Sequence, residues 1–148
     1  MSHRLAAVPP AALVLGAAGL APFLLGAAAA LGLPVPGPWG RAFMPYAAVI
    51  LSFMAGIHWG IAMVRDEAGW RQLGISVGPA LVGWASLLVG GASGLVVLAI
   101  AFTALLGYDL AEARAGRAPA WYPTLRWPLT LIVVVCLLAV ALIGPPAG

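Results

Sequence analysis

The chain alternates between long apolar stretches and short breaks of charge, glycine or proline. A helix crosses a bilayer with about 20 apolar residues. By that measure the pattern predicts five spanning helices, over residues 11–33, 43–64, 73–89, 95–110 and 127–143. Pro22 falls inside the first and frees a carbonyl that a neighbouring helix must satisfy. The run Pro34-Val35-Pro36-Gly37-Pro38 cannot be helical and predicts a stiff loop. Arg65-Asp66-Glu67 ends the second helix, because three successive charges belong in water. The segment Gly90-Gly91-Ala92-Ser93-Gly94 predicts a tight turn joining the third and fourth helices as an antiparallel hairpin. Residues 111–126 form the longest predicted loop, and Pro128 takes a first-turn position in the last helix, where a missing N–H costs nothing. The expected fold is all-α, a polytopic membrane helix bundle forming one integral-membrane domain over residues 1–148.

Composition supports lipid as the solvent. Hydrophobic residues make up 64% of the 148 and charged residues 7%, against about 25% charged in a typical soluble domain. Folded in water, such a chain would expose large apolar patches. The loops leave no room for a soluble domain, so any chemistry must sit inside the bundle or at its rim. The net charge of +3 comes from seven arginines scattered among apolar segments; with no basic run, nucleic acid is excluded as a partner. Cys136, the single cysteine, reads as a small core residue. The apolar stretch after Arg4 is longer than the core of a signal peptide and is expected to be retained as a helix.

Charge also orients the bundle. Arg4, Arg65, Arg71, Arg114, Arg117 and Arg126 fall on the side of the N-terminus and only Arg41 on the other, which predicts a cytoplasmic N-terminus and an external C-terminus. Trp70, Tyr108, Trp121, Tyr122 and Trp127 would belt the cytoplasmic interface, with Trp39 at the other. Of these, Trp70, Trp121, Tyr122, Arg126 and Trp127 are the expected interface anchors. Arg126 would meet lipid phosphate there or pair with Asp109 or Glu112.

Two features point to interaction or chemistry. Ala48, Ser52, Gly56 and Gly60 recur every four residues along the second helix, and Ala99, Thr103 and Gly107 along the fourth. Small residues at that spacing let helix backbones approach closely. The expected use is packing of Gly56 and Gly60 on Thr103 and Gly107; docking of another membrane protein is the alternative. His58 is an ionisable residue well inside a predicted span, and burial of such a group is costly enough to suggest a role. Ser76, Thr103 and Thr130 fall at a similar depth, with Tyr108 and Asp109 above them, and with His58 they could line a shallow polar pocket facing the cytoplasm. Interhelical hydrogen bonding, a proton-linked site and an axial haem ligand are the competing uses of His58; His3, the other histidine, lies in the N-terminal tail.

Catalytic constellations are missing. No intramembrane carboxylate pair, metal-ligand cluster, phosphate loop or Gly-x-Ser-x-Gly occurs. Ser52 stands six residues from His58 on the same helix, about 9 Å along its axis, too far for the hydrogen bond a nucleophile and base require. No metal and no cofactor is expected, and the chain is expected not to be an enzyme.

Four blocks carry a family resemblance: Leu15–Phe23 (LGAAGLAPF), Tyr46–Gly60 (YAAVILSFMAGIHWG), Ser76–Trp84 (SVGPALVGW) and Pro119–Thr130 (PAWYPTLRWPLT). They resemble the transmembrane protein 69 family, a domain of unknown function, and the second and fourth blocks are the specific ones. The resemblance implies a multi-pass protein of the bacterial inner membrane with mitochondrial relatives in eukaryotes. It implies no activity, and it draws attention to His58, Trp59, Trp121, Tyr122, Arg126 and Pro128. The leading expectation is a non-enzymatic accessory, assembly or scaffold component of a larger inner-membrane complex. The alternatives are a small transporter or proton-linked protein using His58, and a protein that binds quinone, haem or lipid.

Overall fold

The computed structural model describes residues 7–67 and 69–144. His3, Arg4 and the tail from residue 145 lie outside the described residues. Among the described residues five helices follow one another: α1 (Pro10–Ala30), α2 (Trp39–Val64), α3 (Trp70–Val89), α4 (Gly91–Arg114) and α5 (Tyr122–Ile143). Each is long and apolar enough to cross a membrane, so the chain is a multi-pass, all-α bundle.

The number of spans matches the sequence pattern, but several ends move. α1 stops at Ala30 rather than at 33, because Gly32 takes φ +82° and lets Leu33 N–H bond Ala28 C=O at 3.1 Å, a left-handed stop that favours glycine. α2 begins at Trp39, earlier than expected, and carries Pro45 inside it. The Gly90–Gly94 turn shrinks to Gly90 alone (φ +67°). α4 runs on to Arg114, because Glu112 and Arg117 neutralise each other at its end, at 2.6 and 2.7 Å. α5 starts at Tyr122, so Pro123 rather than Pro128 occupies its first turn and Pro128 lies within the helix.

Phe23 sits at the centre of the bundle, fully buried. It meets Phe43, Tyr46 and Phe102 edge-on, at centroid separations of 6.0, 5.2 and 6.3 Å. Such aromatic pairs contribute about 0.5–1.5 kcal/mol each beyond their burial. Beside Pro22, Tyr46 of α2 donates its hydroxyl to Gly19 C=O at 2.9 Å. α2 and α3 approach so closely that a Cβ on Gly83 would lie 3.3 Å from Ala48 C=O.

The expected small-residue packing is corrected by this arrangement. A Cβ on Gly56, Gly60 or Gly107 would meet nothing within 4 Å, and Thr103 is exposed. Helix 2 rotates its buried residues, Ala47, Ala48, Leu51, Ala55 and His58, toward the core, which turns Gly56 and Gly60 outward. The hydroxyls of Ser52 and Thr103 bond their own helices, at Ala48 C=O and Ala99 C=O, both at 2.8 Å. The close contacts belong to glycines outside the stripe, Gly26, Gly83 and Gly94.

Candidate functional site

The alternating direction of the helices brings the C-terminal parts of α2 and α4 and the N-terminal part of α5 to one end of the bundle. His58 lies six residues before the end of α2, Asp109 five before the end of α4, and Arg126 four after the start of α5. By helical rise each is about one to two turns inside its helix end.

These three side chains meet. Asp109 receives Arg126 Nε on Oδ2 at 2.6 Å, while its Oδ1 lies 2.7 Å from His58 Nε2. An ionised carboxylate only accepts hydrogen bonds, which assigns the Nε2 proton to the histidine. Arg126 Nη1 also donates to Thr130 Oγ1 at 3.0 Å, one turn along α5. The side chains of Asp109, Arg126 and His58 are 0%, 5% and 6% exposed. An isolated charge at this depth would be prohibitive; the mutual neutralisation of Asp109 and Arg126 makes the cluster tolerable.

Toward the rim the cluster continues through Tyr108. Its ring packs edge-on to His58 with centroids 4.8 Å apart, and the Arg71 guanidinium lies 5.8 Å from the ring centroid. Glu112 and Arg117 form the outermost pair, and the bond to Glu112 holds the Arg117 guanidinium above its ordinary range.

On the other flank of Arg126 lies an apolar cleft of about 320 Å³ between α1, α2, α4 and α5. Phe23, Met54, Phe102 and Leu129 form part of its wall, and Leu15 and Phe53, 71% and 68% exposed, stand where it opens outward. Tyr122 and Arg126 are among the lining residues. Tyr122 Oη and Arg126 Nη2 are themselves buried and make no hydrogen bond of good geometry among the described residues, although Arg126 and Asp109 stand next to the Tyr122 hydroxyl. A donor left this way costs about 1–3 kcal/mol, more when charged.

The sequence-derived candidates divide on this map. His58, Tyr108 and Asp109 come together. Ser76 is buried on α3 but is not bonded to His58, and Thr103 points away from the cluster. Arg126, expected as an interface anchor that meets lipid phosphate or pairs with Asp109 or Glu112, does pair with Asp109, but it is 4% exposed and inside the bundle, because Asp109 and Thr130 replace the water it would otherwise seek. Tyr122 turns its hydroxyl inward. Trp70 and Trp127 are exposed, at 98% and 52%, and Trp121 is half-buried against Tyr122. The cleft was not anticipated. The sequence signal available for it was the spacing of Tyr122, Arg126 and Thr130, every four residues on one face of α5.

A family described as protein of unknown function (DUF3429) matches residues 8–142. Transmembrane protein 69 of Xenopus tropicalis is 36% identical over 140 residues, covering 87% of this chain and 53% of the frog protein. The chain therefore spans about half the length of this curated relative. No solved structure matches it.

Proposed function

The chain belongs to the DUF3429 family and is similar to transmembrane protein 69, and from that premise we propose that it is a bilayer-embedded, non-enzymatic binding protein for an amphiphilic molecule. The apolar part of the ligand occupies the cleft beside α1, and its polar head reaches Tyr122 and Arg126. One observation carries this reading: an apolar cleft of about 320 Å³ runs between α1, α2, α4 and α5, opens outward past Leu15 and Phe53, and has Tyr122 and Arg126 among its lining residues. Binding pockets are commonly concave and mostly apolar, with a few convergent polar groups. His58 and Asp109 have a positioning role here, fixing the Arg126 guanidinium behind the wall of the cleft.

The test is extraction of the protein in mild detergent, followed by mass spectrometry of the organic extract. A stoichiometric amphiphile is expected in the natural protein and absent from Gly19→Phe. Gly19 borders the cleft and a Cβ there meets nothing within 4 Å, so the new side chain starts out into open space. Equal recovery from both proteins refutes the reading.

A second reading, an accessory, assembly or scaffold component of a larger membrane complex, is favoured by the outward face of Gly56 and Gly60. A stoichiometric protein partner in the same preparation would support it. For orientation we propose a cytoplasmic N-terminus in a bacterial inner membrane. With the buried Arg126 set aside, Arg4, Arg65, Arg71, Arg114 and Arg117 still outnumber Arg41.

A further inference from the structure

The two halves of α1 are held very differently. Leu20, Phe23 and Gly26 are its buried residues, and all lie past Gly19. No residue from Pro10 to Gly19 is buried. The hydrogen bond that ties α1 to another helix, from the Tyr46 hydroxyl to Gly19 C=O at 2.9 Å, falls at the boundary, and Pro22 stands just beyond it. We propose that the first half of α1, up to Ala18, is a flap hinged between Gly19 and Pro22 that swings to open and close the cleft toward the bilayer. The binding reading above gives the flap its use, but the hinge stands on the packing of α1 alone.

The hinge follows from the sequence of this turn. Pro22 has no N–H, so the Ala18 carbonyl loses its partner in the helix and the ladder is weakest there. Sharp bends in long helices occur at such prolines. Gly16 and Gly19, in the turns before it, weaken the helix further. Past the hinge, Phe23 is locked edge-on among Phe43, Tyr46 and Phe102. Tyr46 also pins Gly19. The pivot is therefore fixed, and the half before it is left to move.

Little holds the flap shut. It borders the cleft through Ala12, Leu15 and Gly16. It rests on α5 at Gly16, where a Cβ would lie 3.0 Å from a Leu129 methyl and 3.7 Å from one of Leu125. Leu13, Val14 and Leu15 are already turned outward, at 54%, 64% and 71% exposure. In water the hydrophobic effect would resist peeling an apolar helix from its neighbours. In a bilayer the lipid tails are as apolar as the side chains left behind, so only packing contacts are lost. The flap's own backbone bonds stay inside the helix throughout, as lipid requires. Phe53 of α2 marks the opposite edge of the opening. Outward motion widens the gap between Leu15 and Phe53 and leaves the Asp109–Arg126 contact, which joins α4 to α5, in place.

A swing of about 20° about Gly19 moves Ala11, one end of the flap, by about 4 Å. Spin-label distances measured by electron resonance on the full chain in phosphatidylcholine nanodiscs read this directly, with Cys136→Ala removing the native thiol. Labels on Ala11→Cys with Trp70→Cys report the flap, and labels on Leu25→Cys with Leu88→Cys report the anchored half; all four positions are exposed. The flap pair is expected to show a distance distribution about 4 Å wider than the anchored pair. Pro22→Ala supplies the missing N–H and should narrow the flap pair to the width of the anchored one. Gly16→Leu sets a side chain against Leu129 and should shift the flap pair to longer distances while the anchored pair stays in place. Equal widths for the two pairs, a width that Pro22→Ala leaves unchanged, or no shift in Gly16→Leu overturns the flap. No ligand enters the measurement, so that result leaves the binding reading standing, and a cleft that binds nothing leaves the flap standing.

Discussion

Asp109 and Arg126 stand 17 residues apart on different helices, yet the carboxylate and the guanidinium meet at 2.6 Å with almost no exposed surface. The contact ties α4 to α5 by a charged pair inside an otherwise apolar bundle. Removing one partner of such a pair is far more damaging than removing both, because the survivor is left as a lone buried charge.

That asymmetry gives the first prediction. Asp109→Asn should lower stability by about 3–5 kcal/mol, seen as a lower thermal midpoint and poorer recovery in detergent. The double variant Asp109→Asn with Arg126→Gln should regain a large part of the loss. A single variant as stable as the natural protein would mean that the pair contributes nothing to the fold.

His58 makes the third side of the cluster through a bond to a charged acceptor. His58→Ala should cost about 1.5–3 kcal/mol, the range for hydrogen bonds to charged groups. His58→Gln keeps an amide donor and should restore most of it. Equal losses in the two variants, measured by denaturation in detergent, would show that the ring's bulk matters and its hydrogen bond does not.

Glycines inside and outside the close contacts should behave oppositely. A Cβ on Gly94 would lie 2.5 Å from Ser86 C=O, which is rigid backbone, and 2.6 Å from the Met44 methyl. Gly94→Leu should therefore abolish or severely reduce folded protein through overpacking. Gly60→Leu meets open space and should leave the thermal midpoint of the isolated chain unchanged. If it nevertheless removes a co-purifying protein, the outward face of α2 is the docking surface of the scaffold reading.

The orientation is checked by reporter fusions. With the N-terminus cytoplasmic and an odd number of spans, reporters at the two ends should give opposite signals. A C-terminal reporter active in the cytoplasm would contradict the arginine asymmetry.

The spans were legible because a bilayer imposes a length that apolar runs satisfy or fail. Their ends were less so. The predicted second span already took in Pro45 and the fifth held Pro128 in its first turn, yet α2 begins earlier, at Trp39, and α5 earlier, at Tyr122. Reading charge as a stop trimmed α4 before Glu112, whose partner Arg117 lies just past the helix end. Much of the candidate site was legible all the same. His58 stands out inside an apolar run, the expected polar pocket takes in Asp109, and Asp109 is among the partners expected for Arg126; what the sequence does not show is that this pair lies inside the bundle rather than at the interface. Only their pairing carries them inward, and pairing across helices leaves no periodic trace in one sequence. The small-residue stripes show the converse failure: a correct period does not say which side of the helix the neighbours occupy.

The order in which the cluster's members leave the ribosome constrains how the protein is made. His58 and Asp109 are synthesised before Arg126, so for a time the carboxylate has no counter-ion. Until α5 arrives, sinking α4 to its final depth would bury an unpaired carboxylate, at a cost of about 2.5–3.5 kcal/mol at a helix centre. Arrival of the last helix removes that cost in the same step that completes the wall of the cleft.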